Sequence, residues 1–123
     1  MGVLINITDK PVRVTSSSDV QELRVAKEVL EFDELDLMLF VLSVEGGSPS
    51  LTVAIETGME IDTSNGWIVP ATPINFAFAA KTTANSQELK NFKGFARYVR
   101  WKVTALTGTA FTFTITGVGR RWA

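Results

Sequence analysis

The stretch FARYVRWKVTALTGTAFTFTITGVG, Phe95 to Gly119, decides the fold. It holds two alternating runs, residues 97–104 and 111–118, joined by a short segment carrying Gly108. In the second run Phe111, Phe113 and Ile115 point one way and Thr112, Thr114 and Thr116 the other, because successive side chains leave a strand on opposite faces. In the first run Val99, Trp101 and Val103 form the apolar face against Tyr98, Arg100 and Lys102. The two runs read as a hairpin of half-buried strands.

The same plan occurs earlier. Residues 37–44, the turn Gly46-Gly47-Ser48-Pro49 and residues 51–57 repeat strand, glycine turn, strand. Leu51, Val53 and Ile55 correspond to Phe111, Phe113 and Ile115, and the extra residues fall in the turn, where insertions cost least. Two hairpins of common design predict a pseudo-repeated antiparallel β-sandwich, jelly-roll-like, as one domain over residues 1–123 with a short tail at 120–123. Residues 37–44 are apolar on both faces, with Leu37, Leu39 and Val41 on one and Met38, Phe40 and Leu42 on the other. Such a strand is covered on both sides, by the second sheet and by a loop or a neighbouring subunit.

Working outward, residues 3–7 and 12–14 read as short strands split by Asp9-Lys10-Pro11, and residues 23–32 are taken as a strand. Trp67-Ile68-Val69 is a short strand stopped by Pro70 and Pro73, and Ile74, Phe76 and Phe78 alternate in another. Residues 81–93 are the longest polar stretch and read as a loop that serves as a contact arm or is simply mobile. The closing Arg120-Arg121-Trp122-Ala123 has the composition of an interface anchor, the alternative being Trp122 tucked against the domain's own edge.

At 123 residues the chain buries about two-thirds of its unfolded surface and folds without staples. It has no cysteine and no histidine, which removes thiolate chemistry, the commonest general base, the commonest zinc ligand and any Ser-His triad. The acids at Asp33, Glu34 and Asp36 and at Glu56, Glu60 and Asp62 lack EF-hand spacing, and Gly46-Gly47 and Gly117-Val118-Gly119 lack the lysine and helix of a phosphate loop. The expectation is no enzyme, no catalytic residue, no metal and no cofactor. No signal peptide or membrane-length run is present, so the expected product is soluble, has no membrane partner and is made in the cytoplasm.

Charge is divided along the chain. Residues 1–62 carry four bases against twelve acids, net −8, and residues 63–123 carry eight bases against Glu88 alone, net +7. These halves either neutralise one another within one molecule or dock an acidic face of one subunit on a basic face of the next. Aromatic residues are not interleaved with the bases as nucleic-acid recognition requires, so no nucleic-acid partner is expected. Trp67, Trp101 and Trp122 with Tyr98 could stack on sugars, but the parity of Trp101 puts it in the core.

Gly47-Ser48-Pro49-Ser50-Leu51-Thr52-Val53, the Trp67 segment, Tyr98-Val99-Arg100, Thr107-Gly108 and Phe111-Thr112-Phe113 together resemble the small β-sandwich proteins of tailed-phage structural gene clusters. The resemblance spans residues 35–119. It implies a non-enzymatic virion component, a capsid decoration or cement protein or a minor head or tail protein. Such a protein acts as a homo-oligomer beside a major capsid or tail protein. Met38, Phe40, Leu42, Trp67, Arg120, Arg121 and Trp122 are the expected interaction residues. The string Ala96-Arg97-Tyr98-Val99-Arg100 is also similar to the late strand of discoidin-type domains, which implies a carbohydrate- or surface-binding module as the alternative. This chain lacks the usual cysteines of those domains.

Overall fold

Two arches, each made of consecutive strands, cross at the centre of the molecule. The computed structural model describes residues 2–21, 26–62, 66–68 and 75–121. The first arch is β4 (Glu34–Glu45) and β5 (Ser50–Gly58); the second is β10 (Tyr98–Thr107) and β11 (Ala110–Arg120). The sequence predicts each as a hairpin, and the structure corrects this. Strand β4 pairs with β11 and β5 pairs with β10, all antiparallel. Each arch therefore steps from one sheet to the other. Trp101 of β10 and Phe113 of β11 face each other across the core, ring centroids 5.4 Å apart at 88°. Period-two alternation is the same for a strand that folds back beside its neighbour and for one that arches over it, so the pattern alone does not assign pairing.

The repeat itself survives as a pseudo-two-fold. Its axis exchanges β4 with β10 and β5 with β11, so β4·β11 becomes β10·β5. Both first strands carry a bulge at the same place. Leu42 is the extra residue opposite the Thr112/Phe113 step, three before Glu45, and Thr104 is the extra residue between Val103 and Ala105, three before Thr107. A bulge bends its strand and steepens the twist, which steers each into its corner. The corners then interlock: Thr109 N donates to Glu45 O at 2.8 Å and Thr107 Oγ1 to Ser48 O at 3.0 Å. Gly108 sits between them at φ +92°, where a Cβ would lie 3.2 Å from both Glu45 O and Pro49 Cα.

The remaining strands flank this centre. Sheet I runs β1-β11-β4-β9, with β1 (Gly2–Asn6) and β2 (Val12–Val14) lying in line along β11 as one interrupted edge and β9 (Gln87–Lys93) on the other edge. Sheet II runs β3-β10-β5-β8, with β3 (Lys27–Glu28) and β8 (Asn75–Ala77) at its edges. A separate hairpin joins β6 (Glu60–Asp62) to β7 (Gly66–Ile68). Facing rows fill the interior: Leu35, Leu37, Leu39 and Val41 of β4, Phe111, Phe113 and Ile115 of β11, Leu51, Val53 and Ile55 of β5, and Val99, Trp101 and Val103 of β10. The protein is an all-β sandwich of two antiparallel sheets.

Two local expectations change. Of the segment 23–32, only Lys27–Glu28 is strand among the described residues; Leu30 and Glu31 form a turn closed by Phe32 N donating to Val29 O at 3.0 Å. The polar stretch 81–93 is not a loop throughout. Its second half is β9, paired with β4 from Glu34↔Lys93 to Phe40↔Gln87. As an edge strand it has one ladder partner, and of its side chains only Phe92 is buried, so its composition stays polar.

Buried polar groups close one open side of the sandwich. Gln21 Nε2 donates to Ile7 O at 2.9 Å while its Oε1 accepts from Trp101 N at 3.1 Å, joining the edge of sheet I to β10. Thr8 Oγ1 accepts from Ile115 N at 3.0 Å where β1 and β2 part. Trp101→Ala is expected to cost about 3–5 kcal/mol in urea denaturation, as a large core truncation. Gln21→Ala is expected to cost about 1–3 kcal/mol by the same measurement, because it strands a buried N–H and a buried C=O.

Candidate functional site

The outer face of sheet I collects the side chains that alternation turns away from the core. Register fixes the rows. Leu4 of β1, Val118 of β11, Asp36 of β4 and Asn91 of β9 form one row; Asn6, Thr116, Met38 and Leu89 the next; Thr114, Phe40 and Gln87 the third. Across these rows Leu4, Val118, Met38 and Leu89 line, with Asp36 and Thr116 between them, a shallow hollow of about 480 Å³, and Phe40 in the next row continues the apolar belt beyond it. Leu4 is 85% exposed and Leu89 69%, whereas Met38 and Phe40 are half-buried. Leu42, on the bulge, is exposed beyond them.

One end of the belt is closed by charge. Gly2, Arg120, Glu34 and Lys93 form the row beyond Leu4. Arg120 pairs with Asp36 and, at 3.9 Å, with Glu34; Lys93 reaches Glu34 at 3.7 Å, and Asn91 Nδ2 donates to Asp36 Oδ1 at 2.7 Å. At the other end Arg13 pairs with Glu45 at 3.1 Å. On sheet II, Arg100 holds Glu56 at 3.0 Å and Lys102 approaches the same carboxylate at 3.7 Å. Arg97 meets Glu28 at 3.5 Å. Most of these pairs join a base of the second half to an acid of the first, because β4 and β5 pair with β11 and β10. The opposite charges of the two halves thus meet inside one molecule.

The far side of the sandwich is stitched by Glu88. Its Oε1 accepts from Lys81 Nζ at 2.5 Å and from Ala79 N at 2.9 Å, while Lys90 Nζ donates to Ala77 O at 2.5 Å. Burial pushes the Glu88 carboxyl up. The hydrogen bonds from Lys81 and Ala79 and the charges of Lys81 and Lys90 together outweigh that and hold it below its ordinary value.

Of the interaction residues expected from the sequence, Met38, Phe40, Leu42 and Arg120 come together on this face. Arg120 is not in a tail: it is the last residue of β11, and its carbonyl accepts from Asp33 N at 2.7 Å. Arg121 follows it, exposed. Trp67 lies in β7, opposite Ile61 of β6, in neither sheet's ladder. Trp122 lies outside the described residues. Sequence reading missed Leu4, Leu89 and Val118. Leu89 was visible as one of two large apolar residues in the polar run, Phe92 being the other at opposite parity to the face of Leu89, and Leu4 by its opposite parity to Val3 and Ile5. A second apolar hollow, about 420 Å³, opens at the end of the sandwich between Leu30, Phe32, Met59 and Phe95.

No protein-family model, no curated protein and no solved structure matches the chain.

Glu88→Gln is expected to lower stability at neutral pH by about 1–3 kcal/mol, the worth of a charge-assisted hydrogen bond. Because folding holds the carboxyl below its ordinary value of 4.5, this contribution is full above that pH and lost as the pH falls through the folded value. Melting curves of wild type and Glu88→Gln should therefore differ at pH 7 and converge in acid.

Proposed function

We propose that the chain is a non-enzymatic structural component of a tailed-phage or phage-like particle, a capsid decoration or cement protein or a minor head or tail protein. The carrying observation is the belt of Leu4, Val118, Met38, Leu89 and Phe40 on an outer sheet face. An apolar belt exposed on an otherwise polar sheet face marks a contact surface, and the rim of charge beside it is already paired within the molecule. Docking there removes apolar area from water without leaving a cation or carboxylate alone.

The strand order supports reading the sandwich as a jelly roll. If β1 and β2 are taken as one edge, the first strand neighbours the last. The hairpin β6-β7 aside, the chain changes sheet at every step but the one from β5 to β8, giving β1-β11-β4-β9 over β3-β10-β5-β8. Jelly rolls recur in viral capsids. They also serve lectins, so a discoidin-like or other glycan-binding role is the competing reading. Sugar stacking needs accessible aromatic faces; Trp101 is 6% exposed and packed on Phe113, so it offers none.

Particles from the source organism, banded on a density gradient and analysed by mass spectrometry, test the proposal. High copy in the band assigns a decoration or shell role, and low copy a vertex, neck or tail position. Absence from the band overturns the reading in favour of glycan binding. On purified particles, Met38→Lys and Leu89→Lys should each weaken binding at least about tenfold, since each places a charge in a desolvated contact. Thermal stability should stay within about 0.5 kcal/mol of wild type for Leu89→Lys, a surface substitution.

A further inference from the structure

Among the described residues the two sheets of the sandwich have four edges, and three of them carry the devices that stop pairing. Strand β9 turns Glu88 and Lys90 toward the sandwich gap. Among the described residues strand β8 is three residues long, and β3 is two, Lys27 and Glu28, both charged. Inward charge and short length each discourage a foreign strand. The remaining edge starts with β1, Gly2-Val3-Leu4-Ile5-Asn6, which has neither charge nor proline. Val3 is 50% exposed and Leu4 85%.

Parity says which backbone groups of β1 are free. Ile7 N donates to Ile115 O at 2.9 Å, so the hydrogen-bonded positions along β11 are the odd ones, with Val3 opposite Gly119 and Ile5 opposite Gly117. The N–H and C=O groups of Gly2, Leu4 and Asn6 then point to the open side. Among the described residues no backbone group meets them there.

We propose that β1 pairs antiparallel with β1 of a second copy of this chain, about a two-fold axis through Leu4. In that register Leu4 faces Leu4, Val3 faces Ile5 and Gly2 faces Asn6, and every free N–H of one copy meets a free C=O of the other. Charge fits the same axis. The groove beside β1 is lined at its Asn6 end by Asp9, bonded to Lys27 at 2.7 Å. Glu31 lies toward the Gly2 end, where Asp33 N is tied to Arg120 O. The two-fold sets these ends head to tail, so Glu31 and Arg121 of one copy face the Asp9–Lys27 ion pair of the second, one acid and one base on each side. An isologous contact of this kind closes after two copies and extends sheet I into one sheet through both. It rests on the structural reading above and deepens it by naming one contact of its oligomer. The ladder is short beside the roughly 1,200–2,000 Å² of standard interfaces, so the dimer is expected to depend on concentration.

Sedimentation of the full chain over a concentration series tests it. Wild type should shift from monomer to dimer, and Leu4→Pro should stay monomeric with unchanged melting, because its lost N–H has no partner in β11. Ile5→Pro, which removes a bond to β11, should melt earlier. A Leu4→Cys chain, with no other cysteine to compete, should give a covalent dimer with a short bis-maleimide, each thiol adding across one maleimide double bond, and Leu89→Cys should not. A wild type that stays monomeric, a dimer that persists in Leu4→Pro, or a Leu4→Pro chain that melts as early as Ile5→Pro overturns the inference. Particle binding is scored separately: a chain that dimerises through Leu4 but never bands with particles sinks the structural reading and leaves the dimer standing.

Discussion

The structure depends on the crossing of two arches. Because β4 and β11 are paired in one sheet while β5 and β10 are paired in the other, each arch is held by strands of the other arch. The backbone bonds of all four central strands are satisfied only when both arches are present. The apolar rows of both sheets then meet face to face, and Trp101 packs edge-on against Phe113 between them. The matched bulges at Leu42 and Thr104 and the left-handed Gly108 serve this crossing, since they bend the strands into the corners where the arches interlock.

Around that centre the sandwich has two open sides, and polar groups close each. On one side the Gln21 amide spans the sheets, donating to Ile7 and accepting from Trp101. On the other Glu88 and Lys90 of β9 tie to Ala77 at the end of β8 and to the segment that follows it. Side-chain hydrogen bonds suit these places because the strand interruptions there leave main-chain groups without ladder partners. The exception is the rim beside β1, where Val3 stays half-exposed although its parity turns it inward.

The same topology shapes the surface. Pairing first-half strands with second-half strands brings Glu34 and Asp36 against Arg120, and Glu56 against Arg100. What stands out on sheet I is then the apolar belt from Leu4 to Phe40, not a field of one sign. Association by such a surface is driven by area removed from water and is only weakly sensitive to salt. That suits a protein seated permanently on a neighbour better than one that captures a charged ligand in passing.

The sequence by itself determined the class of the fold and the membership of the core. Alternation marked Val99, Trp101, Val103, Phe111, Phe113, Ile115, Leu51, Val53, Ile55, Leu37, Leu39 and Val41, and all of these are buried. It also exposed the repeat and singled out Met38, Phe40 and Leu42. Tertiary structure alone decided pairing: hairpin and arch share one side-chain period, and the choice rests on contacts between residues far apart in the chain, such as Ile55 with Trp101 and Leu39 with Ile115. It likewise turned the polar stretch at Gln87–Lys93 into an edge strand, since an edge needs only one apolar anchor, here Phe92. Leu4 and Leu89 entered the candidate face for the same reason. Their place beside Met38 is a matter of register across strands, which local composition does not encode.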